Sequence, residues 1–374
     1  MEEYEALWAF GIILSFFTIA PPWFHYQKAR RLESSFSPPL GGLELPTLTV
    51  LLPVRNESIL ILGKLDEILG ADYPMSKISI LVVDSGSTDG TAEIARKHLI
   101  ENARGIEWRV ESVDLPGKSI AVNTALDIIN TEIFAMLDAD AVLQPDALKL
   151  LVRWFQDSDI GGVCGRLDAS KGAPDFSYRS RFNTLRIGES LMGSTPIFEG
   201  SVCAFRMSSI GSAKISPNIN ADDSQLAMLV RRNGFRAIMD PELRFTEPDS
   251  TNRNQRRRSV RRAQGLVRAL LANRDLATFK RGQGRIHAHA LFFHVMMPWT
   301  LLLSFSSLLA SFIVDPFPSL GVGAKTHLIS VAILLVVILS KTGRGFLRGA
   351  SVLLESHVLM LLGVRLNVWE TDRE

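Results

Sequence analysis

The stretch IFAMLDADAVLQPDAL, residues 133–148, runs through a short apolar segment and then sets down two carboxylates, Asp138 and Asp140, with only Ala139 between them. Like charges this close raise each other's cost of ionisation, and burial at a strand end raises it further unless a cation sits between them. Two readings stand side by side. The pair holds a divalent metal, or it is a polar strand end leading into a helix that Pro145 opens and Asp146 favours.

Outward from this stretch, residues 46–248 alternate strand-like and helix-like segments. The strand-like runs are TLTVLLPV (47–54), ISILVVDS (78–85), IEWRVES (106–112), IFAMLDAD (133–140), GGVCGRL (161–167), SVCAFR (201–206) and RAIMD (236–240). Such alternation predicts an α/β domain, a mainly parallel sheet with helices on both faces, whose ligands sit at the carboxyl ends of the strands. The unusual polar residues fall at those ends. PVRNES follows the first strand, VVDSGSTDGT carries Asp84 at the end of the second, and PGKSIAVNTAL places Lys118 beside Gly117 at a helix start. Backbone amides and a lysine there favour a diphosphate. Taken singly, Asp84 reads as a turn residue and Lys118 as a solvated charge. Together with Asp138 and Asp140, these strand ends describe a nucleotide-sugar site. The sequence contains no internal repeat, no low-complexity tract and no Gly-rich dinucleotide or P-loop fingerprint.

The composition, 47% apolar with 21% charged residues in 374, suits a soluble domain joined to membrane segments. The formal net charge is only +2, the basic residues are clustered, and no nucleic-acid partner is expected. Cys164 and Cys203 lie in apolar runs and read as small buried hydrophobes. Residues 6–24, ALWAFGIILSFFTIAPPWF, carry no charge and are long enough to span a bilayer. Glu2, Glu3 and Glu5 precede them and Lys28, Arg30 and Arg31 follow, which places the N-terminus outside and the main domain in the cytoplasm of a cell-membrane protein. The segments 290–314 and 327–340 read as a helical hairpin, with the loop 315–325 outside and Lys341, Arg344 and Arg348 inside. The stretch 346–364 holds Glu355 and His357 near its middle; it reads as an interfacial helix, with a full span as the alternative. The expected organisation is therefore 1–45 as a transmembrane helix and linker, 46–259 as the catalytic domain, and 260–374 as interfacial helices and a transmembrane hairpin.

PVRNE, VVDSGSTDGT, GKSIAVNTAL, DAD, FEGSVCAFR, ADDSQLAMLVRRNGF, FTEPDS and QRRRS follow one another from about residue 50 to 262. In this order and spacing the chain resembles an inverting family 2 glycosyltransferase of the GT-A fold, in the membrane-embedded branch that includes hyaluronan, poly-N-acetylglucosamine and cellulose synthases. The tail VWETDR resembles a short segment near the C-terminus of hyaluronan-synthase-like enzymes. The resemblance implies Pro53, Glu57, Asp84, Lys118, Asp138, Gln255 and Arg258 as contacts to a nucleotide-sugar donor, expected to be a UDP-sugar. It implies Asp140 as the ligand of a Mg²⁺ or Mn²⁺ ion and Asp223 as the catalytic base, with Asp222 as the fallback or a helix cap. Glu199 and Gly200 would meet a lipid-linked or glycan acceptor, or Glu199 would be a buried acid satisfied by an arginine. The family's Gln-x-x-Arg-Trp motif is matched by Gln255 and Arg258, with Ser259 in the place of tryptophan. Arg256, Arg257, Arg261 and Arg262 are expected to face anionic membrane lipids. The implied activity is metal-dependent inverting sugar transfer to a membrane-associated acceptor; the alternatives are a processive synthase that secretes its polymer and a binding module with a decayed site.

Overall fold

The computed structural model describes residues 3–39, 44–168, 176–248, 255–278, 282–314 and 339–366. The helix α1 (Glu3–Glu33) leads into a domain containing β1 (Leu48–Val54), α2 (Ile61–Leu69), β2 (Ile78–Ser85), α3 (Thr91–Asn102), β3 (Glu107–Val113), α4 (Lys118–Ile128), β4 (Ile133–Leu137) and β5 (Val142–Leu143). It continues through α5 (Ala147–Val152), β6 (Ile160–Leu167), α6 (Phe176–Met192), β7 (Val202–Arg206), α7 (Met207–Ile210), α8 (Asp222–Arg232) and β8 (Arg236–Thr246). Then come α9 (Gln255–Ala272), α10 (Gln283–Leu291), α11 (Met297–Val314) and α12 (Lys341–Leu361).

The eight strands form one sheet in the order β3-β2-β1-β4-β7-β6-β8-β5. Strands β3, β2, β1 and β4 are mutually parallel, as the α/β pattern predicts. β7 runs antiparallel to both of its neighbours, and β5 antiparallel to β8, so the sheet is mixed. β1 and β4 are buried at every residue, because helices cover both faces of the centre. Alternate side chains enter two cores. Leu48, Val50 and Leu52 pack with α2, α3 and α5 on one face, while Leu51, Phe134 and Met136 pack with α4, α6 and α8 on the other. β3 is an edge strand with half-exposed and exposed residues, among them Glu107 and Arg109, that discourage further pairing.

Two helical stretches, Tyr4–Glu33 and Gln283–Val314, are long and apolar enough to cross a membrane. The second joins α10 to α11 through a π-helical turn at Phe292–Met296. α1 and α11 pack antiparallel. Ser304, Ser307 and Ser311 donate to the carbonyls of Gly11, Leu7 and Tyr4 at 2.9, 2.7 and 2.8 Å. The outer surfaces of the pair carry Phe10, Phe16, Phe17, Leu303, Phe305 and Ile313 exposed. At its other end α1 meets α6, where the missing side chain of Gly188 lets Ala29 approach; a Cβ there would lie 2.4 Å from the Ala29 Cα.

α12 covers residues 341–361 and packs against α9. Glu355 and His357, the two titratable side chains near the middle of its apolar stretch, both pack on other helices. Glu355 accepts from Arg256 at 2.9 Å, and the His357 ring stacks on Trp299 at 6.0 Å. Arg256, expected to face lipid headgroups, is therefore turned toward α12. Gln264, buried on α9, donates to the carbonyl of Val364 at 3.2 Å and accepts from the N–H of Leu366 at 3.1 Å, holding the end of this segment on α9. The expected second hairpin helix at 327–340, apart from its last two residues, and the tail 367–374 lie outside the described residues.

Candidate active site

The first two strand ends are stitched to each other. Past β1, the N–H of Asn56 donates to Ser87 Oγ at 2.8 Å, and Asn56 Oδ1 accepts the N–H of Thr88 at 2.8 Å. The Glu57 N–H donates to Thr91 Oγ1 at 2.9 Å, and the Ser58 N–H to Asp89 Oδ2 at 3.0 Å. Asp84, at the end of β2, accepts the N–H of Ser87 at 3.2 Å and the Ser87 hydroxyl. Burial pushes its carboxyl above the ordinary aspartate range, and the Ser87 bonds oppose that rise. Pro53 is buried within β1, opposite Val83 of β2.

Lys118 is the first residue of α4, and its ammonium joins three distant parts of the chain. It donates to Asp138 Oδ1 at 2.6 Å, lies 3.4 Å from Asp222 Oδ2, and reaches the Gly200 carbonyl at 3.5 Å. Burial alone would lower its pKa, but the carboxylates of Asp138 and Asp222 outweigh that and hold it above the ordinary lysine value. Asp138 and Asp140 follow β4 on a half-buried strand end. The metal reading and the strand-end reading share this geometry, since α5 begins only at Ala147 and Asp146 makes no side-chain cap bond.

Asp222 and Asp223 open α8, whose N-cap is Ala221 without a side-chain bond. The expectation that Asp222 caps this helix is corrected: its carboxylate is paired with Lys118 instead. Asp223 lies against the backbone of Gly200, where an added Cβ would sit 3.1 Å from the Asp223 Cγ and 3.2 Å from Oδ2. Any side chain at this position would press on the Asp223 carboxylate. Burial first, then the charge of Asp222, pushes the Asp223 carboxyl up to about 7, with Lys118 opposing.

Beside Gly200, buried Glu199 accepts from Arg179 Nη1 at 2.9 Å, so the reading of a buried acid satisfied by an arginine describes its contacts. Its pKa is nevertheless raised, because burial outweighs Arg179. The structure thus brings Lys118, Asp138, Gly200, Asp222 and Asp223 together, with Glu199 adjoining. Gln255 and Arg258 lie in the first turn of α9, Arg258 half-buried and Ser259 exposed. Arg179 and Glu247 were not singled out by sequence. Glu247 accepts the Ser201 hydroxyl and belongs to the quoted FTEPDS run, which was a usable signal; Arg179 had none.

Residues 49–212 match the model of glycosyl transferase family 2, and residues 133–340 match that of glycosyl transferase family group 2. The chain is 30% identical over 152 residues to a beta-monoglucosyldiacylglycerol synthase of Nostoc, covering 41% of this chain and 30% of the relative. It is 23% identical over 250 residues to the poly-beta-1,6-N-acetyl-D-glucosamine synthase of Staphylococcus aureus, covering 64% of this chain and 60% of the relative. The chain thus spans less than two thirds of either curated relative. Among solved structures, the mannosyltransferase PcManGT from Pyrobaculum calidifontis, in complex with GDP-Man and Mn²⁺, is similar with a TM-score of 0.79 and 29% identity. That match covers 96% of this chain and 99% of the other.

Proposed function

The chain belongs to glycosyl transferase family group 2, and on that footing we propose that it is a membrane-embedded, metal-dependent inverting glycosyltransferase acting on a membrane-associated lipid or lipid-linked glycan. Its being a glycosyltransferase that uses a nucleotide sugar follows from the family. The observation that carries the finer reading is the position of Lys118, which touches Asp138 on the donor side and Asp222 beside Asp223 on the other.

In this reading the Lys118 ammonium, now neutralised by two carboxylates, turns to the donor diphosphate, and Asp84 holds the nucleoside. Asp138 and Asp140 fit a Mg²⁺ or Mn²⁺ ion, because such ions are bound by one or two carboxylates together with phosphate oxygens and water. Among the described residues no group of three or more His, Cys, Asp and Glu forms a protein-only cage. Held there, the ion would supply Lewis-acid stabilisation of the charge on the departing diphosphate. Asp223 accepts the proton of the acceptor hydroxyl as that oxygen attacks the anomeric carbon and the bond to the diphosphate breaks on the opposite side. A base poised near neutral pH suits this task.

The match along nearly the whole of PcManGT favours a GDP-mannose donor over the UDP-sugar expected from the motifs. The Nostoc relative, a synthase of a glucosyldiacylglycerol, supports a lipid acceptor. Inward serines and outward aromatic rings on the α1–α11 pair are what helices packed in lipid present. Their antiparallel packing supports an arrangement with residue 4 and residue 314 on one side of the membrane and the catalytic domain on the other. Transfer of one sugar per encounter is favoured over polymerisation, since Ser259 stands where the family motif has an aromatic platform.

The test is a donor screen following nucleoside diphosphate release by the chain in detergent, with Mn²⁺ and a membrane lipid extract. GDP release from GDP-mannose that depends on the extract and gives one-sugar products supports the proposal. Release from no nucleotide sugar would refute it.

A further inference from the structure

Between α7 and α8 the chain runs through residues 211–221 and delivers Asp222 and Asp223 to the site. Two side-chain amides, one from α4 and one from α8, grip consecutive residues of this segment. From α4, Asn123 Nδ2 donates to the carbonyl of Ile215 at 2.8 Å, and Asn123 Oδ1 accepts the N–H of Ile215 at 3.0 Å. From α8, Gln225 Oε1 accepts the N–H of Ser216 at 2.8 Å, while Nε2 donates to the carbonyls of Ser216 at 3.2 Å and Ile219 at 2.9 Å. Ser119, next to Lys118, adds a bond to the Ile219 carbonyl at 3.3 Å. On the far side α9 presses directly on the same segment: a Cβ on Gly265 would lie 2.0 Å from the Asn220 oxygen.

Each amide satisfies both backbone groups of one residue, as a neighbouring β-strand would, in a segment that has no strand partner. We infer that Asn123 and Gln225 are positioning residues that tie the helix carrying Lys118 to the helix carrying Asp223, and so fix the base relative to the bound donor. Neither touches Lys118, Asp138 or Asp223 through any of the bonds above; they act through the backbone of 215–219. The inference rests on Asp223 being the base. Lys118 and Asp223 are 105 residues apart in sequence, and a base misplaced by about 1 Å can lose about 100-fold in rate.

The experiment compares the full-length chain with Gln225→Met and Asn123→Ser, using the nucleotide sugar selected by the donor screen with Mn²⁺ and lipid extract. Each variant is expected to lower kcat about 10- to 100-fold while leaving the KM for the donor unchanged. The acid limb of kcat should move from about 7 toward the ordinary carboxylate range, because a loosened first turn of α8 admits water to Asp223. Wild-type kcat and an unmoved acid limb in both variants would overturn the proposal, as would a raised donor KM at unchanged kcat. If Gln225→Met fails to fold, Asn123→Ser decides by the same readouts. Asp223→Asn is measured alongside. Wild-type turnover in that variant would remove the base assignment itself, so the two failures are told apart.

Discussion

Replacing Asp223 with asparagine should make the protein slower and, at alkaline pH, more stable. The Asp223 carboxyl is half-buried, lies against Gly200 and stands beside Asp222, and its pKa is pushed up to about 7 in the folded chain. In the unfolded chain it would titrate near 3.9. The sign follows from these two values. Below about pH 4 both states hold the proton and the carboxyl contributes no pH-dependent difference. Between about 4 and 7 the unfolded chain releases it while the folded chain keeps it, so wild-type stability falls with rising pH. Above about 7 the fold carries the whole cost of ionising this half-buried carboxyl beside Asp222, about 4 kcal/mol. The neutral amide of Asp223→Asn has no such titration. Thermal unfolding of both proteins in one detergent, at one scan rate, should place the variant about 5 °C above wild type at pH 8, shrinking toward zero near pH 4. Its turnover should fall by about 10² to 10⁴, the usual effect of losing a general base. A stability difference that does not change between pH 5 and pH 8, or turnover at the wild-type rate, would refute the reasoning.

Chelation should abolish sugar transfer and added Mn²⁺ or Mg²⁺ should restore it, while Asp140→Ala loses most activity with an unchanged unfolding midpoint; full activity in chelator would exclude the metal role. Lys118→Met leaves Asp138 and Asp222 without their shared cation, so it should cost about 3 kcal/mol of stability and abolish detectable donor binding in a calorimetric titration. Phe134→Ala removes a fully buried ring packed 5.5 Å from that of Phe205, and should destabilise by about 3–5 kcal/mol in denaturant titration with little change in donor KM. Single cysteines at Ser319 and Thr371, with Cys164 and Cys203 replaced, should label from opposite sides with an impermeant thiol reagent. Labelling of both from outside would place the C-terminal tail across the membrane from the nucleotide.

Local chemistry was legible in the sequence wherever it repeats along one stretch of chain. Apolar runs ending in Asp84 and in Asp138 marked β2 and β4 because a buried strand is apolar and its carboxyl end faces the ligand side. Charge-free segments marked the two long apolar helices for the same kind of reason. Pairing across distance was not legible. Whether Asp222 caps its own helix or pairs with Lys118 depends on α4 and α8 meeting on one face of the sheet, and the two side chains are 104 positions apart. The direction of β7 was hidden because its apolar side chains pack equally well beside a parallel or an antiparallel neighbour; only the path of the chain through α6 decides it. The same holds for Arg256 and Glu355, which read as a lipid-facing cation and a misplaced anion until α12 packs on α9 and joins them. A single sequence reports what each residue prefers to be near, namely water, lipid, an opposite charge or a helix end. Which of several suitable partners it meets is decided by the three-dimensional packing of elements far apart in the chain.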